Sequence, residues 1–116
     1  RFIGDVNHGN AKVLLDGFHM TIEESNIAQA IRTVGDKLLH VQVSENHRGI
    51  PGTGLTPWTD FAEGLKAINY KGAIVIESFT PEIKELAGAV CIWKNLAKSQ
   101  DEFASQGIDF MKKTFN

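Results

Sequence analysis

Three short apolar runs, each closing on a side chain that carries oxygen, set the main constraint on how this chain can fold. Lys12 to Asp16 contains the run Val13-Leu14-Leu15 and ends on a carboxylate; Leu38 to Val43 carries Gln42 near its end; Ala73 to Glu77 ends on a second carboxylate. Between them lie longer segments with helical period. That alternation is the sequence sign of βα units around a parallel sheet, and a continuous apolar run suits a strand covered on both faces. The 116 residues allow one domain, residues 1–116, with no linker or low-complexity stretch.

The connections are legible in outline. Arg1 to Asn10 reads as the tail of a helix followed by a loop. Thr21 and Glu24 have capping-box spacing, which predicts a helix starting there, with Ile27, Ile31 and Val34 on its buried face, Leu38 passing to the next strand, and a stop at Gly35. His40 and Gln42 share one face of the second strand. A polar loop runs from Ser44 to Gly54. Pro57 suits a helix start, followed by Trp58, Phe61, Leu65 and Ile68 on one face, and Gly72 closes that connection. Pro81 predicts another helix, with Ile83, Leu86, Val90 and Trp93 inward. Ser99 and Glu102 predict a last one, with Ala104, Ile108, Met111 and Phe115 inward.

Composition narrows the function. Twelve Lys and Arg against fourteen Asp and Glu leave a net charge of −2, so the basic footprint that drives nucleic-acid binding is absent and no nucleic-acid partner is expected. No apolar run approaches the roughly 20 residues of a membrane span, so no membrane partner is expected either. Cys91 is the only cysteine, which excludes an internal disulfide and a zinc ribbon and points to a reducing, cytoplasmic setting. The chain opens on Arg1 with no signal-peptide pattern, and reads as part of something longer.

Ligands of parallel βα folds bind at the carboxyl ends of the strands. Asp16, Gln42 and Glu77 all fall there. Two carboxylates and an amide oxygen suit a hard or borderline divalent ion, whereas a single strand-end carboxylate is equally a helix cap or a solvated group. His19 falls on the loop after the first strand and Arg48 on the loop after the second; either could hold sugar hydroxyls or simply face solvent, and Glu45 and His47 beside Arg48 carry the same two readings. His40 reads as a core histidine, Pro51 to Gly54 as a tight turn rather than a phosphate loop, Trp58, Trp93 and the phenylalanines as core, and Cys91 as a buried helical thiol. His8 carries no signal.

The segments Leu15-Asp16-Gly17-Phe18-His19-Met20, Val41 to Gly49, Pro51-Gly52-Thr53-Gly54 and Ile76-Glu77-Ser78-Phe79 resemble the D-tagatose 3-epimerase and D-psicose 3-epimerase group of sugar isomerase/epimerase TIM barrels, whose superfamily includes an endonuclease IV-like (AP endonuclease family 2) branch. The resemblance implies a partial (β/α)8 barrel, its last three βα units. It implies that Asp16, Gln42 and Glu77 ligate a divalent metal, Mn²⁺ first with Mg²⁺ or Co²⁺ as alternatives, and that Glu77 is also a catalytic acid/base. It implies further that His19 and Arg48 bind a ketose, whose C3 is epimerised through a cis-enediolate. Gln42 stands where these epimerases have histidine, a departure shared with the similar hydroxypyruvate isomerase branch. A full barrel takes about 250 residues, and the family's fifth-strand glutamate, the second acid/base, precedes the first residue here. The chain alone is therefore expected to have little or no activity. A non-catalytic partial barrel that self-associates into a homo-oligomer through open strand edges is the competing expectation.

Overall fold

The computed structural model describes residues 1–116. In chain order the elements are α1 (Phe2–Val6), β1 (Val13–Asp16), α2 (Gly17–Glu23), α3 (Ile27–Val34), a 3₁₀ turn (Gly35–Lys37), β2 (Leu38–Val43), α4 (Trp58–Ala67), β3 (Ile74–Ile76), α5 (Lys84–Ala89) and α6 (Gln100–Phe115). The strands form one parallel sheet in the order β1-β2-β3. All three expected strands are present, β2 with the expected bounds.

Pairing sets Asp16 opposite Gln42, Gln42 opposite Val75 and Val43 opposite Ile76. The ladder continues one residue further, with the Glu77 amide donating to the Val43 carbonyl at 2.8 Å. Side chains alternate between faces along each strand. Leu15, Val41, Val43, Ile74 and Ile76 therefore share the face that packs against the helices, and Val41 and Val43 are fully buried there with Ile31 and Phe61. The other face carries Leu14, Gln42 and Val75, with Leu14 50% exposed and Val75 44% exposed. Burial on both faces, expected from the apolar runs, is thus not found within this chain. Right-handed crossovers wound in one direction stack their helices on a single side of the sheet.

Several local expectations are corrected. The helix after β1 starts at Gly17, not at Thr21: the Asp16 carboxylate accepts from the Phe18 amide at 2.8 Å and caps it. The Thr21 hydroxyl instead donates to the Gly17 carbonyl, and α3 is capped by Asn26, whose Oδ1 accepts from the Gln29 amide at 2.8 Å. An Asx cap one residue before the apolar face outcompetes a capping box already occupied by another helix. Gly35 ends α3 with a φ of 57°, as the sequence suggested.

The helix after Pro81 is shorter than its pattern and solvates much of it. Ile83 and Leu86 are exposed, Trp93 is 86% exposed, and Cys91 is exposed outside the helix with a φ of 58°. Ser99 does cap α6, accepting from the Glu102 amide at 3.1 Å, but the inward face is Phe103, Gly107 and Met111, one position away from Ala104 and Ile108. Gly107 explains the shift: a Cβ there would lie 2.7 Å from Ile76 Cδ1, so the helix seats against β3 only where a side chain is missing. Gly64 does the same for α3 on α4, where a Cβ would meet Ile31 Cδ1 at 2.9 Å.

Phe61 is the largest fully buried side chain and touches the sheet, α3 and Trp58. Phe61→Ala is expected to lower the unfolding free energy by about 3–5 kcal/mol, the range for an aromatic truncated in a packed core. Urea titration followed by circular dichroism measures it, and an unchanged midpoint would contradict this account of the core.

Candidate functional site

The register that aligns the strand ends brings Asp16, from the end of β1, and Glu77, just beyond β3, to the same guanidinium. Arg48 NH1 lies 2.9 Å from Glu77 Oε2 and 3.7 Å from Asp16 Oδ2. Both carboxyl groups thus stand beside the same guanidinium nitrogen. Burial and the neighbouring Asp16 push the Glu77 carboxyl above the ordinary glutamate range, and Arg48 offsets only part of that rise. Gln42 stands on the middle strand directly beside Asp16, half-buried on the same face.

Arg48 is buried rather than solvated. Its guanidinium carbon stacks 3.8 Å from the Phe18 ring centroid and 5.3 Å from that of Phe79, and its backbone is left-handed with a φ of 66°. Packing of the planar guanidinium over the Phe18 ring limits the directions in which its donors point. His19 belongs to the first turn of α2 rather than to a loop; its imidazole is exposed and meets Phe18 edge-on, at 5.3 Å between centroids. His40 is half-buried on the open face, not a core residue.

Glu45 is the residue whose part the sequence concealed. It is fully buried, with both oxygens engaged. Oε1 accepts from the amides of Asn46 at 3.1 Å and Thr56 at 2.7 Å; Oε2 accepts from the Gly52 amide at 2.8 Å and Trp58 Nε1 at 3.0 Å. Burial raises the affinity of this carboxyl for a proton, but the donors from Thr56, Trp58 and Asn46 together outweigh it and hold Glu45 below the ordinary glutamate range. A glutamate in a polar loop gives no periodicity signal. Its burial depends on a loop closing around it, including the tight turn at Gly52, where φ is 87° and a side chain would run into Phe110.

Asp16 and Glu77 meet on one cation, Arg48, and Gln42 stands beside Asp16 on the middle strand; oxygen donors of this kind are the type that hard divalent ions take. No three His, Cys, Asp or Glu side chains cluster anywhere in the chain.

Residues 1–114 match the family model of xylose isomerase-like TIM barrels. The chain belongs to that family. It is 39% identical over 116 residues to an L-ribulose 3-epimerase of Methylomonas sp., covering 98% of this chain and 41% of that protein. It is 40% identical over 101 residues to a D-psicose 3-epimerase of Ruminiclostridium cellulolyticum, covering 87% of this chain and 34% of that one. A D-allulose 3-epimerase from Methylomonas sp., solved in complex with D-allulose, superposes with a TM-score of 0.90 at 39% identity, covering 97% of this chain and 40% of that chain. The chain thus spans about two-fifths of the length of these relatives, as a partial barrel of three βα units should.

The lowered proton affinity of Glu45 has a signed consequence. Its stabilising contribution is complete above the unfolded-state value and is lost as pH falls through the folded-state value. Wild type and Glu45→Gln should therefore differ most in urea midpoint at neutral pH and converge on acidification. A gap that widens toward acid would refute the assignment of Glu45 as a buried, ionised acceptor.

Proposed function

We propose that this chain is the part of a divalent-metal-dependent ketose 3-epimerase that supplies the metal ligands Asp16, Gln42 and Glu77, one acid/base, Glu77, and the sugar-binding side chains His19 and Arg48. The observation that carries the reading is the convergence of Asp16 and Glu77, from opposite edge strands, on the guanidinium of Arg48. Similarity to ketose 3-epimerases among the relatives supports the substrate class. Mn²⁺ is the first choice of ion, Mg²⁺ or Co²⁺ the next, and a cytoplasmic setting suits the single free thiol.

A proton on a carbon beside a carbonyl is weakly acidic, so removing it requires positive charge where oxygen becomes anionic. A divalent ion held by Asp16, Gln42 and Glu77 would supply that charge. Glu77, on the open face beside Asp16 and Arg48, is the carboxyl that would move the C3 proton. Arg48, held flat against Phe18, donates to sugar oxygens along one fixed direction, and the exposed His19 reaches the same side from α2. Inversion at C3 needs a second acid/base on the opposite face of the substrate, and no further Asp or Glu joins the Asp16–Glu77 pair here.

The open sheet face favours a second reading. Leu14 and Val75 are half-exposed on it, and β1 and β3 each leave an unpaired edge, so the chain by itself would associate with further copies. Light scattering on a size-exclusion column distinguishes an oligomer from a monomer.

Calorimetric titration of the chain with Mn²⁺ tests the site directly: binding that weakens about tenfold or more in Asp16→Asn and in Glu77→Gln is the expected result, since each substitution removes a charged ligand. Metal binding unaffected by either would overturn the assignment. Incubation with Mn²⁺ in D₂O and fructose, psicose, tagatose or ribulose then reads deuterium at C3, with loss of label in Glu77→Gln at Mn²⁺ concentrations that restore metal occupancy assigning the base; label in hydroxypyruvate alone would favour the isomerase branch suggested by Gln42.

A further inference from the structure

We propose that Glu45 is a positioning residue for Arg48, fixing the loop between β2 and α4 so that the guanidinium is presented to Asp16 and Glu77. The proposal goes beyond the functional reading above and rests on it only for the ligand that Arg48 meets.

The loop runs from Ser44 to Pro57 without a helix or strand of its own. Such a length would ordinarily leave an arginine side chain many orientations. Here Glu45 ties the loop at both ends and in the middle. Oε2 takes the Gly52 amide and the Trp58 indole, Oε1 the amides of Asn46 and Thr56, so one carboxylate spans residues 46 to 58. Its backbone closes the inner turn: the Arg48 amide donates to the Glu45 carbonyl at 2.8 Å and the Glu45 amide donates to Gly49 O at 3.4 Å. Arg48 therefore sits at the apex of a turn held by Glu45 from inside, in a left-handed conformation that a free loop would not maintain for a side chain of this size.

The chemistry of Glu45 supports a role in order rather than in stability alone. A buried carboxylate loses its hydration, and an apolar residue of similar volume would fill the space at less cost. What an apolar residue cannot do is accept four hydrogen bonds from points along the chain. The arrangement constrains direction, which is what Arg48 needs: its Nε has no accessible surface and no partner, so beyond the Nη1 contacts to Glu77 and Asp16 its orientation rests on packing against Phe18 and on the turn beneath it. Glutamine in place of Glu45 would face the Gly52 amide and Trp58 Nε1, or the other pair, with an NH₂ group, leaving donors without an acceptor.

The test is NMR of the full chain. In wild type the Arg48 Nε–H is expected as one sharp resonance with slow solvent exchange. In Glu45→Gln its exchange should rise about tenfold or more, the size expected when a hydrogen-bonded loop opens locally, while the amides of Ile31 and Phe61 in the core stay protected. Trp58→Phe, which removes one donor to Oε2, should give the same change at smaller size, and provides the measurement if Glu45→Gln does not fold. Unchanged Arg48 exchange in a folded Glu45→Gln, or in Trp58→Phe if that alone folds, overturns the proposal, as does loss of core protection in step with Arg48 in every folded variant. A double-mutant cycle on ketose affinity adds the functional readout: Glu45→Gln should weaken binding about tenfold with Arg48 present and about twofold or less with Arg48→Ala, the non-additivity of residues acting through one another. Equal losses in both backgrounds overturn the proposal. Absence of ketose binding in wild type would count against the epimerase reading, while the exchange result would still decide the positioning role.

Discussion

Parallel pairing of β2 with a strand on each side is the constraint from which the site follows. Because Asp16, Gln42 and Val75 lie in register, the carboxyl ends of β1 and β3 finish level, and side-chain alternation turns Asp16, Gln42 and Glu77 toward one face. A slip of one residue in either ladder would send a carboxylate into the helix-covered face, where Val41, Val43 and Phe61 exclude water. The hydrophobic set therefore protects the register, and the register protects the site.

The two faces of the sheet have different tasks. The face under α3, α4 and α6 is closed by close contacts at Gly64 and Gly107, and it anchors the fold. The opposite face holds polar strand ends beside half-exposed Leu14 and Val75, and ties its charges together through Arg48. Burial and the neighbouring Asp16 raise the proton affinity of Glu77, and the guanidinium offsets only part of that rise. Relatives that are ketose 3-epimerases and more than twice this length share the fold of the segment.

Legibility differed by element. β2 could be read to the residue, because an apolar run broken at alternate positions by His40 and Gln42 precedes a run of loop residues, and Ser99 could be read as a cap because nothing nearby competes with it. The Thr21 cap and the inward face of α6 could not. Asp16 caps α2 five residues upstream of Thr21's expected place, and the rotation of α6 is set by the gap at Gly107 against Ile76. Trp93 shows the limit of periodicity: its spacing from Ile83 and Leu86 fits a helix face, but α5 stops at Ala89 and the indole is left in solvent.

The three strands, their parallel sense and the placing of Asp16, Gln42 and Glu77 at or just past strand ends lie in the linear pattern, since hydrophobic period and chain connectivity are local properties. Tertiary structure alone decided that Arg48 is buried between aromatic rings, that Glu45 is the hub of its loop, and that Asp16 and Glu77 share a cation. Each of these depends on groups far apart in sequence meeting where water is excluded, and the strength of a charge or a hydrogen bond there is set by the surroundings, which no local pattern records.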